Sequence, residues 1–169
     1  MQEKELNGII RRSFEEQGDY AYKISDSGQY INGAVTHQKN PYDGFAFYKG
    51  KFVGWESKWL PKPQALDLQR LQDHQLEALK KTRDCLDCSY ALFLVGIKWA
   101  ARETRVYIFT DLDDIERRRT NRKNFLKKDF EKMDNYVLVK KGVVNIEELL
   151  KKGYKDLAFT EKEGVIDDI

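Results

Sequence analysis

Leu6, Ile9, Ile10 and Phe14 recur at helical spacing, which predicts an amphipathic helix over residues 4–17, ended by Gly18 in the usual C-terminal position. Residues 20–24 read as a short strand. Residues 25–40 are polar and glycine-bearing and read as a loop or a mobile extension. Two apolar-alternating stretches, 43–48 and 51–58, flank Lys49-Gly50 and predict a hairpin. Residues 66–81 form a second predicted helix, with Leu68, Leu71, Gln75 and Leu79 along one side. The unbroken apolar run within 90–99 predicts a strand covered on both faces. Residues 105–110 read as another strand, 112–132 as mostly helical, 136–140 as a short strand and 146–151 as a final helix. The order is αβββαββα followed by a short strand and a helix. Mixed elements around one sheet predict an α/β sandwich. Neither repeat nor low-complexity linker divides the chain, so residues 1–169 are expected to form a single domain.

Composition narrows the partners. Charged residues make up 34% and hydrophobic residues 41% of the 169, enough for a real core without staples. No apolar run reaches the ~18 residues of a membrane helix, so no membrane is expected among the partners. The start, Met1-Gln-Glu-Lys-Glu, is polar and acidic and is no secretory signal, so the expected location is cytoplasmic. A net charge of +2 says little, but its distribution says more. Arg117-Arg118-Arg119 opens a cationic stretch running to Lys128, and residues 161–168 are acidic. Such a stretch is either a solvated helix face or a set of phosphate contacts. Lys62, between Pro61 and Pro63, is a further candidate for a phosphate. Cys85 and Cys88 form a lone pair without a second pair, and His37 and His74 stand at no zinc-finger spacing to it. The two cysteines read as small residues where a helix gives way to a strand.

The hairpin carries the candidate chemistry. A two-residue turn at Lys49-Gly50 sets Tyr48 across from Lys51, and the same register carried back sets Asp43 across from Glu56. Directly opposed side chains share a face with Cβ atoms about 5.5 Å apart or less. Two carboxylates there repel each other unless a divalent cation, which prefers oxygen ligands, removes the penalty. A three-residue turn with a bulge loosens the opposition but can keep both acids on one face. Strand alternation puts Lys58 on the Glu56 face and turns Ser57 away. Phe45, Phe47 and Phe52 share the acid face, while Val53, Trp55 and Trp59 line the reverse. Charges in strands buried on both sides are costly unless matched. Metal ions on the two acids would activate a water and neutralise a phosphate. The lysine would orient or help deprotonate that water, or stabilise the developing oxyanion. Trp59 and Trp99 read as core residues, and His74 as a helix-face residue.

Asp43 followed, after a thirteen-residue step, by Glu56-Ser57-Lys58 resembles the PD-(D/E)xK nuclease motif. The stretch from Asp43 to Leu76, with Tyr48-Lys-Gly-Lys-Phe and Asp73-His-Gln-Leu, resembles the RecU-type Holliday junction resolvases of Gram-positive bacteria and their phages. Residues 14–28, a helix ending in Gly18 and then Ser27-Gly28, look more like the archaeal Hjc-type resolvases. Pro41 is separated from Asp43 by Tyr42, whereas the archaeal pattern has the pair adjacent, and the segment between Ile24 and Asp43 is shorter than the RecU-type stalk. The resemblance implies a restriction-endonuclease-like sandwich, a central mixed β-sheet flanked by helices. It implies Asp43 and Glu56 as metal ligands and Lys58 as the catalytic lysine. It places Gln75 near the metal or nucleophile and Ser27 at a phosphate on the site's edge. An acid on the first helix, Glu5 or Glu3, would complete the set. The implied cofactor is Mg2+, with Mn2+ as substitute, and the implied partners are a four-way DNA junction and a second copy of the chain. Arg117 and Arg118 are carried as further DNA contacts, and the dimer surface is expected within residues 92–106 or on the helix beside them. A restriction or repair nuclease with the same motif, and a non-catalytic DNA-binding protein on the same fold, are the alternatives.

Overall fold

A computed structural model describes residues 2–18, 20–24, 28–31, 33–37, 39–85 and 89–155, with 28–31 and 34–37 described by their backbone. Helix α1, Glu3–Glu16, leads into strand β1, Ala21–Lys23. A small hairpin of β2, Gly28–Ile31, and β3, Ala34–His37, follows. Then come β4, Gly44–Tyr48, β5, Lys51–Leu60, and helix α2, Asp73–Asp84. Strands β6, Ser89–Ala100, and β7, Glu103–Phe109, precede helices α3, Leu112–Thr120, and α4, Lys127–Lys132. Strand β8, Tyr136–Leu138, and helix α5, Ile146–Gly153, complete the described chain.

Six strands form one mixed sheet in the order β1-β4-β5-β6-β7-β8. Only β5 and β6 run parallel, joined by the crossover through α2, and every other pair is antiparallel. One face is covered by α1 and α5, which bury Leu6, Ile10, Phe14, Leu149 and Leu150 against Val53, Trp55, Leu92 and Leu94. On the other face Leu76 and Leu79 of α2, Ile115 of α3 and Phe130 of α4 meet Leu60, Phe93, Val95 and Ile97. This is the expected α/β sandwich with a mixed sheet between helical layers. The run 90–99 is covered on both faces, as its unbroken apolar character requires.

Two close approaches set the geometry. Lys49 and Gly50 both take positive φ, 47° and 77°, which gives the tight turn whose twist suits a hairpin. Tyr48 therefore pairs with Lys51 and Gly44 with Trp55, the register the two-residue turn predicts. At Gly96 an added Cβ would stand 2.8 Å from both Leu6 and Trp59, so the bare backbone lets α1 lie flat on the sheet.

Three elements differ from the sequence expectation. Residues 28–31 and 34–37 pair as a hairpin and are not a loop. The predicted helix over 66–81 is a 3-10 turn, Leu68–Arg70, followed by α2. Asp67 caps the turn, and the carboxamide of Gln75 restarts the helix by accepting the Gln72 N–H. The helix expected over 112–132 breaks between α3 and α4, where Arg122 enters the left-handed region at φ 53°. There Phe125 turns inward and pairs its backbone with Leu66. Burial of that one ring outweighs continuation of a helix whose surface is otherwise polar.

Candidate active site

Strand β4 begins at Gly44, so among the described residues no strand pairs with β5 beyond Trp55 on that side. Asp43 fills the gap: its Oδ2 accepts the Ser57 N–H at 2.9 Å. A buried Asn7 from α1 joins the same network. Its Oδ1 accepts the Trp55 indole N–H at 3.0 Å and lies 2.9 Å from Ser57 Oγ, which is equally close to Asp43 Oδ2. Ser57 does face the reverse side, towards α1, and from there it pins one Asp43 oxygen.

Glu56 sits deeper, with none of its surface exposed. Its Oε1 accepts a 2.6 Å hydrogen bond from Lys58 Nζ, and its Oε2 is buried without a hydrogen-bond partner. Glu3, in the first turn of α1, places Oε1 3.6 Å from Lys58 Nζ and Oε2 3.4 Å from Arg70. Glu3, Asp43 and Glu56 each turn a carboxylate oxygen to a common point, all within 4.8 Å of one another. Burial, with Asp43 next, pushes the Glu56 carboxyl up to about 8, against the opposing pull of Lys58. Such a group holds its proton at neutral pH unless a cation enters. An unpartnered buried oxygen inside a cage of acids is the donor set a hard divalent cation takes.

The remaining candidates fall elsewhere. Glu5 does not join the acids. Two residues from Glu3 on a helix, it turns away to solvent, and its Oε2 accepts the Gln2 N–H at 3.0 Å to cap α1. Gln75 is half-buried at the start of α2, where Oε1 accepts the Gln72 N–H at 3.0 Å. Ser27 and Cys88 lie outside the described residues, and Cys85 is an exposed free thiol. Lys62 is exposed in the turn after β5. Arg117 and Arg118 share Asp114, Arg118 lies over the Phe125 ring, and Arg119 pairs with Asp73 of α2, so these three arginines are engaged within the protein. Asn7 and Arg70 escape the sequence reading. Asn7 is legible as a polar residue on the apolar stripe of α1, four after Glu3, whereas Arg70 carries no local signal.

Among the described residues no helix is long and apolar enough to cross a membrane. No curated protein matches the sequence. The family model for recombination protein U, RecU, matches residues 19–152, which takes in Asp43, Glu56, Lys58 and Arg70 and leaves Glu3 before its start. With that span and the mixed sheet carrying the paired acids and lysine, the chain belongs to the RecU family of Holliday junction resolvases, endonucleases that act on branched DNA.

Proposed function

We propose that this protein resolves four-way junctions by Mg2+-dependent phosphodiester hydrolysis at the Glu3, Asp43, Glu56 and Lys58 cluster, with Mn2+ able to substitute. The observation that carries this reading is Glu56. It is a fully buried carboxylate with an orphaned oxygen, directed to the same point as two other acids and bonded to the one lysine buried beside it. Glu3, Asp43 and Glu56 would hold the cation. Bound there, it supplies charge neutralisation at the phosphate and a more acidic water. The chain's own residues do the rest. Asp43 is held by Ser57 through Oδ2, which leaves Oδ1 for ligation. Lys58 Nζ, anchored by Glu56, directs its remaining protons to where the attacking water or the phosphoryl oxygens stand, and stabilises the negative charge that grows in the transition state. Gln75 and Ser27 keep supporting places by resemblance alone, Gln75 near the nucleophile and Ser27 at a phosphate.

Two symmetric cuts in one junction require two sites, so the working form is a two-fold dimer. The test is a labelled four-way junction and an equal-length duplex, each incubated with Mg2+, Mn2+ or EDTA. Wild-type protein cuts the junction in either metal and not in EDTA. Lys58→Ala lowers the rate by about 10²-fold or more while leaving junction affinity nearly unchanged, since affinity comes from many phosphate contacts. Parallel loss of binding and cutting would make Lys58 a docking residue. Metal-independent cutting would end the reading.

A further inference from the structure

We infer that Arg70 is a phosphate-binding residue that, before DNA and metal arrive, is parked on Glu3 and competes with the cation for that carboxylate. The inference rests on the metal-site reading above.

Two cations flank the three acids, and they are held differently. Lys58 is buried and bonded tightly to Glu56. Arg70 ends the 3-10 turn after β5 with its side chain 41% exposed. One guanidinium nitrogen donates to the Trp59 carbonyl at 3.3 Å, which ties the side chain to the strand that carries Lys58. The other reaches Glu3 Oε2 at 3.4 Å, a long contact to a carboxylate that is itself 37% exposed. Half-exposed ion pairs of this kind contribute little and exchange readily. The backbone anchor is independent of Glu3, so Arg70 keeps its place at the solvent side of the cluster when Glu3 turns to a metal. A guanidinium has five N–H donors, and its planar fork matches the paired oxygens of a phosphate. An arginine freed from its carboxylate at the rim of a metal site, on the side open to solvent, is placed for the phosphate that reacts there. Glu3 thus already turns an oxygen to the other acids while Oε2 holds Arg70, and a bound ion would draw its charge away from the guanidinium.

This predicts opposite effects on metal and on cutting. Arg70→Gln removes a competitor for Glu3, so Mn2+ binding to the DNA-free protein, measured by calorimetry, tightens about two- to five-fold, the size of one half-exposed ion pair. Junction cutting at saturating Mn2+ falls about 10²-fold in kcat, the usual cost of one lost donor at a reacting phosphate. Arg70→Lys keeps the charge without the fork, holds Mn2+ affinity near wild type and recovers only part of the rate. A brace between the 3-10 turn and β5 would instead lower thermal stability, metal affinity and rate together in Arg70→Gln, and that result overturns the proposal, as does wild-type cutting by the variant. Wild-type protein that binds no Mn2+ overturns the metal reading itself and this inference with it.

Discussion

Glu56 is the residue whose environment and chemistry disagree most. It is buried beside Asp43, and the lysine bonded to one of its oxygens does not offset the desolvation, so its carboxyl is pushed up to about 8. In the unfolded chain the same group has its ordinary value of 4.5. Between those values the unfolded chain has released the proton and the folded chain retains it. The contribution of Glu56 to stability is therefore complete below the unfolded value and is lost as pH rises through the folded one. In EDTA the melting temperature should fall as the buffer moves from about pH 6 to about pH 8.5. Glu56→Gln, permanently neutral, should flatten that fall, and an unchanged slope in the variant would place the titration elsewhere. Mg2+ should restore stability at the alkaline end, because ligation requires the ionised carboxylate and there Glu56 has already given up its proton.

At the scale of elements, the site exists because α1 lies close enough to the sheet for Glu3 to reach Asp43 and Glu56. Gly96 permits that approach, since any side chain there meets Leu6 and Trp59. Gly96→Val should cost about 1–3 kcal/mol by overpacking and should also weaken Mn2+ binding, because α1 carries Glu3 with it when it is lifted. Leu79→Ala, in the opposite helical layer, costs about 2–5 kcal/mol without touching α1. Equal loss of metal affinity in both variants would mean that general destabilisation, and not α1 docking, sets the affinity. The same elements show what was legible in the sequence. The β4–β5 register was, because the two-residue turn that Lys49-Gly50 suggests fixes the pairing and a strand's period of two then assigns every face. The β2–β3 hairpin was equally legible from Asn32-Gly33 between apolar residues, but the polar composition around it read as loop. The choice of Glu3 over Glu5 was available from the helix period. Glu3 lies about 40° from the centre of the stripe formed by Leu6, Ile10 and Phe14 and their buried neighbours, and Glu5 about 120°. The break between α3 and α4 was not legible, since it depends on where Phe125 finds its pocket between Leu66 and Phe109. Arg70 was not either, because its position follows from the path of the chain after β5.

At the scale of the whole molecule, the sheet is covered unevenly, and the uncovered part lies beside the site. The dimer surface was expected to include part of residues 92–106 or the helix beside them; within that range residues 92–97 are the buried centre of the sandwich. On the β1, β4 and β5 strands the face that carries Glu56 presents Tyr22, Phe45, Phe47 and Phe52 instead. Phe45 stacks on Phe52 at 5.7 Å, Tyr22 leans on Phe45 at 5.8 Å, and Tyr22 and Phe47 remain 50% and 49% exposed. Among the described residues the helices of that layer pack on β5 and β6 and on one another, so Tyr22 and Phe47 stay exposed while Phe45 and Phe52 are partly buried. A contiguous aromatic patch of this kind marks an interaction surface. Tyr42, tilted against Phe52, continues it to Asp43, so a second copy seated there sets two acid clusters on one two-fold assembly, the symmetry that paired cuts require. We propose this face as the dimer surface. Light scattering should give a dimer for the wild type at about micromolar concentration and a monomer for Phe47→Glu combined with Tyr22→Glu, with circular dichroism unchanged because both rings are exposed in the protomer. The monomeric variant should nick a junction in one strand at a time, while wild type cuts both strands before release. A variant that stays dimeric removes the aromatic face as the interface, and a wild-type monomer that cuts both strands in one encounter removes the dimer.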